Sequence, residues 1–423
     1  MRIQRFIPGI LMVLLFPLAI SCNHGLKADA DNGGIKLPEG FKAVVVADSV
    51  GRARHITVNS NGDIYVALNE LKNGYGIAAL RDVDKDGKAD MIRYFGRYSG
   101  TGIAVHKGYL YFASDTAVLR YKLREGALLP DTTPEIIVRG FPVQFEHASK
   151  TITFDSAGYI YVNVGAPSNA CQTTDRQLHV KSIDPCPILE NYGGIWRFSD
   201  TAHNQIKGQD GMRYATGIRN AVSLDWNFHT GILYVVQHGR DQLHELWPEL
   251  YSENDGVNLP AEEFFLVKEG MDFGWPYCYY DLYKKRKILA PEYGGNADSA
   301  GRCAHKQDPI MAFPAHFAPN CLKFYTGTMF PEKYRNGAFI AFHGSWNRAP
   351  QEQQGFCVVY VPFRQALPEG SWEVFADGFK GRDKVMSPDD ALHRPMGLAQ
   401  GPDGSLYITD SKVGKIWRVF YTK

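Results

Sequence analysis

Arginine and histidine recur in one position of this chain, just ahead of an apolar strand pattern. Arg54 and His55 precede the first such strand, Glu146 and His147 the third, and Arg219 and Asn220 the fourth, which is followed by His238, Gly239, Arg240 and Asp241. His316, Asn320 and His343 accompany the fifth, and His393 and Arg394 the sixth. Imidazole exchanges a proton near neutral pH, and guanidinium grips a carboxylate through two parallel hydrogen bonds. Gathering such groups in a water-poor channel is costly unless an anion offsets them. One histidine or arginine in a loop is ordinary. A set repeated at equivalent positions argues for one shared anionic ligand.

A separate run, Asp82, Asp84, Asp86, Gly87 and Asp90, alternates carboxylates around a turn glycine, as Ca²⁺ loops do. It lacks the glutamate that closes an EF-hand, and it lies between two strand patterns, which suits a structural clamp. A solvated acidic turn is the plainer alternative.

The elements that must position these residues are hairpins. The motif is an apolar strand, a Gly-centred turn, then an apolar–aromatic–apolar strand. Copies stand at 56–68, 103–113, 152–164, 224–236 and 398–409, with a stretched copy ending at 337–342. A further strand follows each hairpin, at 76–82, 116–122, 193–199, 244–248, 355–361 and 414–420. The aromatic anchors are Tyr65, Tyr111, Tyr161, Tyr234, Phe339 and Tyr407. Their first two gaps suit a bare four-stranded blade, and the later ones must hold insertions. The expectation is an all-β, six-bladed β-propeller over residues 39–423, with 23–38 as a linker and the ring closed by 415–421 against 41–47. Uneven spacing disfavours a sandwich pair or a solenoid, because a closed ring tolerates insertions at any blade edge.

Composition agrees. The 423 residues carry 46 basic and 45 acidic side chains, a balance that excludes a nucleic-acid surface. With 42 Gly and 23 Pro the chain favours turns over long helices. Arg2 and Arg5 precede an apolar run ending at Cys22, which reads as an export signal over 1–22. A small residue before Cys22 resembles a lipobox, so Cys22 is a candidate lipidation site and the cell envelope or periplasm the expected location. No other segment is apolar and long enough to span a bilayer. Six later cysteines in an exported chain favour disulfides, most economically Cys171–Cys186 and Cys278–Cys303, which leaves Cys321 and Cys357 either free or paired with each other.

Over nearly its whole mature length the chain resembles the glucose/sorbosone dehydrogenase family of soluble quinoproteins, especially its L-sorbosone dehydrogenase-like and pyranose dehydrogenase members. The resemblance rests on the segments around His147, Arg219-Asn220, His238-Gly239, 271–281, 313–320 and 393–410. It implies pyrroloquinoline quinone and Ca²⁺ at the channel mouth and oxidation of an aldose, or a sorbosone-like aldehyde, by hydride transfer. His147 matches the general base and Arg219 the arginine beside the quinone oxygen. Asn220, His238 and His316 fall on cofactor contacts, and Arg54 and Arg394 on carboxylate-binding arginines. Gly239 and Arg240 match the turn whose backbone carbonyls bind Ca²⁺. Departures from the glucose dehydrogenase pattern are His238 for Gln, His244 for an acid, His316 for Thr and Leu392 for Arg. With no Cys-x-x-Cys-His in the chain, the resemblance implies a separate electron acceptor, a cytochrome c or a membrane quinone.

Two other readings belong to different classes. A propeller lactonase or other hydrolase would hold an axial Ca²⁺ by Glu, Asn and Asp, where this chain offers His and Arg. A non-catalytic binding propeller would have no use for His147, Arg219 and Arg394 together.

Overall fold

The computed structural model describes residues 25–422 with the exception of Thr132. The expected export signal and Cys22 lie outside the described residues. Six four-stranded antiparallel sheets stand around a common axis. Blade one is Ala53–Val58, Ile64–Lys72, Tyr75–Arg81 and Met91–Phe95; blade two is Gly100–His106, Tyr109–Ser114, Ala117–Lys122 and Glu135–Arg139. Blade three is Ile152–Phe154, Tyr159–Val164, Gly194–Ser199 and Met212–Thr216. Blade four is Ser223–Asn227, Ile232–Gln237, Glu262–Val267 and Met311–Phe313. Blade five is Pro319–Phe324, Ala338–Phe342, Cys357–Val361 and Glu373–Ala376. Blade six takes Pro395–Gln400, Leu406–Asp410 and Ile416–Tyr421 from the C-terminus and its outer strand, Phe41–Ala47, from the N-terminus. That last pairing is the expected closure, with Phe41 opposite Tyr421 and Val44 opposite Arg418. Blades two and three each gain a short parallel strand at the rim, Gln205–Ile206 and Met271–Asp272.

The turns between inner strands explain their glycines: Gly62, Gly158 and Gly404 have φ near +90°, which a residue with a Cβ disfavours. Strand alternation then sends successive side chains to opposite sheet faces. Ile64 and Val66 pack toward blade six, while Tyr65 and Ala67 pack toward blade two. The same holds around the ring, so each anchoring aromatic lies in the core shared with the following blade. Buried phenols need partners: the Tyr65, Tyr111 and Tyr234 hydroxyls donate to the carbonyls of Leu128, Asp200 and Ala366, and Tyr161 to the Asp155 carboxylate.

One strand assignment is corrected. Residues 244–248 are not a blade strand; Leu243–Leu246 is a helical turn, and the third strand of blade four is Glu262–Val267. Leu243 and Leu246, three apart, share a helix face and pack with Trp247, Tyr251 and Leu259. The true strand was masked by two buried acids. Glu263 pairs with Lys287 at 2.6 Å, and Glu262 accepts backbone N–H bonds.

Both expected disulfides form, Cys171–Cys186 and Cys278–Cys303, each stapling a loop inserted into a blade. Cys321 and Cys357 are free and buried. The described part of the stretch read as a linker is bonded to the ring, through Asp29 N–H to Ala43 O and Lys36 N–H to Asp377 O. Trp417 is fully buried at the closing seam and donates to Gly33 O at 3.0 Å. Trp417→Ala is expected to lower stability by about 3–5 kcal/mol, measured by chemical denaturation.

Candidate functional site

The residues singled out ahead of the innermost strands gather at one end of the channel. The Arg54 guanidinium donates to Thr101 Oγ1 (3.1 Å) and Ser149 Oγ (2.9 Å), linking blades one, two and three. His55 Nε2 bonds Asn320 O, and His238 Nε2 bonds Pro319 O. Arg394 donates to His343 O and Gly344 O, and His343 bonds Ser411. The ring of blades thus delivers side chains distant in sequence to one polar mouth.

His147 sits in this cluster with a left-handed backbone, φ +53°. Its Nδ1 lies 2.5 Å from Ala166 O, so Nδ1–H donates and Nε2 keeps its lone pair. Burial first, and then the positive Arg219, push the imidazole pKa down to about 3. At neutral pH this is an uncharged base with a free nitrogen. Two further residues hold it. Gln144 Nε2 donates to the carbonyls of Glu146, His147 and Gly165. A Cβ on Gly165 would come within 2.6 Å of His147 Cβ, so only glycine lets the two segments approach.

Arg219 is 2% exposed and donates to Gly239 O and to Asp241 Oδ2, each at 2.8 Å. Its Nε is buried without a partner, as are Asn220 Oδ1 and Asn347 Oδ1. In the sequence Asp241 stands beside the His238 turn without a role of its own, yet it is the electrostatic hub. Burial would raise its carboxyl, but Arg219, His316 and Arg176 outweigh this and hold it well below the usual carboxylate range. Asn347 Nδ2 donates to its Oδ1 at 2.9 Å, and Asn169 brackets its backbone. Arg176 and Asn347 were missed: nothing near Arg176 in sequence marks it as a site residue, whereas Asn347 follows closely on His343. The signal for Asp241 was its place three residues after His238.

Arg54 and Arg394 have no carboxylate within ion-pair distance, and with Arg52, His343, Lys412 and one acid, Asp389, they line a cavity of about 440 Å³ that lies beside His147 and Arg219 rather than including them. Burial lowers each guanidinium pKa to about 10. Such a cavity suits a ligand with several carboxylates. His316 is arranged otherwise. Its Nε2 bonds Gly256 O and its Nδ1 faces Asn347 Nδ2, so both nitrogens serve the protein and it acts by holding Asn347. Gly239 O is engaged by Arg219, and the Arg240 side chain is buried against Glu292 at 2.5 Å. Beneath this turn Glu262 accepts from Gly239 N–H and Ala318 N–H, its pKa pushed up by burial to about 8.

The acidic run is elsewhere, beside the closing seam. Asp82, Asp84 and Asp86 bring their carboxylates within 4.8 Å of one another. Asp90 is not of that group and accepts Val83 N–H instead. Asp82 Oδ1 is buried without a partner.

A model of the TrAA12-like family matches residues 35–422. An uncharacterized protein of Borreliella burgdorferi is 23% identical over 94% of both chains. A pyrroloquinoline quinone-dependent pyranose dehydrogenase of Coprinopsis cinerea is 22% identical over 90% of this chain and 54% of its own, so this chain spans about half of that enzyme. The holo quinone domain of the Coprinopsis pyranose dehydrogenase superposes with a TM-score of 0.70 at 19% identity, covering 91% of this chain and 97% of that one. The calcium structure of a Trichoderma reesei family AA12 enzyme superposes at 0.75 with 18% identity, covering 92% and 97%. These structural likenesses show the fold.

The buried imidazoles carry a pH signature. His55 is lowered by burial to about 4 and His147 to about 3, from an ordinary 6.5. Below pH 6.5 the unfolded chain therefore binds protons that the folded chain refuses. By linkage, the histidines' contribution to stability is full above pH 6.5 and falls as pH drops toward 4, against the opposing Glu262, whose raised pKa favours the fold at lower pH. Denaturation midpoints measured from pH 7.5 to 4.5 are expected to decline over that window.

Proposed function

Because the chain belongs to the TrAA12-like family, we propose that it is a pyrroloquinoline quinone-dependent oxidoreductase acting on a pyranose, another aldose or a sorbosone-like aldehyde. The observation that carries this reading is a neutral His147, its Nε2 free, beside a buried Arg219 with a spare donor. The unpaired Arg54 and Arg394 fit the cofactor's carboxylates, and the partnerless Asn220 Oδ1 and Arg219 Nε fit its polar edge. His238, bonded to Pro319 O through Nε2, stands in the same wall.

When bound, the quinone supplies a two-electron acceptor for hydride. The protein's own work is to hold and deprotonate the substrate. His147 Nε2 takes the proton of the sugar's anomeric hydroxyl, and Ala166 O stabilises the imidazolium through Nδ1–H. Arg219 offers positive charge where negative charge develops. Asp241 holds that guanidinium in place without needing to react. The Ca²⁺ turn fits less directly. Gly239 O and Arg240 O would be the ligands, but a cation there competes with the Arg219 guanidinium on Gly239 O.

A second Ca²⁺ is proposed at Asp82, Asp84 and Asp86, as a clamp beside the seam, where Arg418 lies 3.8 Å from Asp82. We further assign residues 1–22 to export, Cys22 to lipid anchoring at the cell envelope, and reoxidation to a separate cytochrome c or membrane quinone. Among the described residues no helix is long and apolar enough to cross a membrane.

Absorbance titration with pyrroloquinoline quinone, with and without Ca²⁺, followed by an aldose panel, tests the reading. Saturable binding and bleaching by one sugar are expected, whereas no binding at micromolar quinone would refute it. His147→Ala should retain the quinone and lose turnover by at least about 100-fold, read in single-turnover assays. Ca²⁺ should raise the melting temperature of the cofactor-free protein, and Asp84→Asn should remove that rise.

A further inference from the structure

We propose that Arg176 is the positioning residue that locks His147 and Arg219 into one unit. It lies on the loop stapled by Cys171–Cys186, far from both in sequence. Its backbone is left-handed, φ +56°, with N–H held by Gln172 Oε1 at 2.8 Å. This aims the guanidinium between two loops. Nε and Nη2 reach Glu146 Oε1 and Oε2, each at 3.3 Å, on the residue preceding His147. Nη2 also donates to Asp241 Oδ2 at 3.1 Å, the same oxygen that Arg219 binds, and Nη1 donates to Gln242 Oε1 at 2.8 Å.

The result is an alternating chain of charges, Glu146, Arg176, Asp241 and Arg219, running from the base's loop in blade three to the guanidinium of blade four. Without Arg176 the Glu146 carboxylate has no cation holding it, and Asp241 Oδ2 keeps Arg219 as its one guanidinium donor. His147 has a left-handed backbone, φ +53°, that a residue with a Cβ disfavours, so a loop released on that side relaxes away from Ala166. Only a fork-shaped cation spans both carboxylates, which distinguishes arginine from lysine here. The inference that this arrangement serves turnover rests on the dehydrogenase reading above; the arrangement itself does not.

The test therefore has two readouts. In the cofactor-free protein, the His147 Nδ1–H bonded to Ala166 O should give a slowly exchanging imidazole N–H resonance by NMR, assigned by its loss in His147→Ala. Arg176→Gln should abolish or broaden that resonance. In the quinone-loaded enzyme it should lower kcat about 10- to 100-fold, with KM within about threefold of the parent. Arg176→Lys guards against misfolding; it should keep the parent's melting temperature but still lose the resonance. Glu146→Gln combined with Arg176→Gln should cost little more than Arg176→Gln alone. An unchanged resonance in a folded Arg176→Lys, or fully additive losses in the double variant, would overturn the proposal. If the resonance is lost while the parent binds no quinone, the positioning role stands and the dehydrogenase reading falls.

Discussion

Each middle strand of this molecule is buried on both faces, one against the preceding blade and one against the next. That two-sided burial is the constraint on which everything else depends. A sheet with one apolar face could be satisfied by a single partner; a sheet with two must sit between neighbours, and the series ends only when the last meets the first. Phe41–Ala47 completes blade six for this reason, joining the two ends of the described chain in one sheet. The aromatic contacts are densest at that seam and in blade five, where Phe41 meets Phe330, Tyr334, Phe375 and Tyr421 edge to face.

Closure also creates the site. Six inner strands converge on one axis, and the residues ahead of them meet although they lie far apart in the chain. Desolvation follows from the same geometry. It keeps His55, His147 and His238 neutral and makes Arg54 and Arg394, which have no direct carboxylate partner, attractive to an anionic ligand. The inserted loops finish the work, since blade strands supply few partners for charges at the mouth. Arg176 and Asn169 come from one disulfide-stapled insertion, and Asp241 from the segment that carries the helical turns of blade four.

Much of the fold was legible because β-hairpins are local. Alternation, a glycine turn and an anchoring aromatic lie within a dozen residues, so the copies announce themselves. Legibility failed where local pattern and tertiary demand diverged. Residues 244–248 look apolar enough for a strand but pack as one helical turn, and Glu262–Val267 hides behind acids whose partners lie outside the strand, Lys287 and Gln237 for Glu263 and the Gly239 and Ala318 N–H groups for Glu262. The disulfides were readable because short loops are economical to close.

Residue type and order determined the repeat, the blade number, the closing strands and the identities of His147, Arg219, Arg54 and Arg394 as groups suited to proton transfer and anion binding. Only the tertiary structure decided how each of them is held. Which imidazole nitrogen is free depends on the Ala166 carbonyl across a glycine contact. Whether His316 faces a ligand or the protein depends on Gly256 and Asn347. The hub at Asp241 exists because Arg219, Arg176 and, 106 positions away, Asn347 are folded onto it. A hydrogen bond is set by angstroms between segments that the ring brings together, and no local pattern encodes those distances.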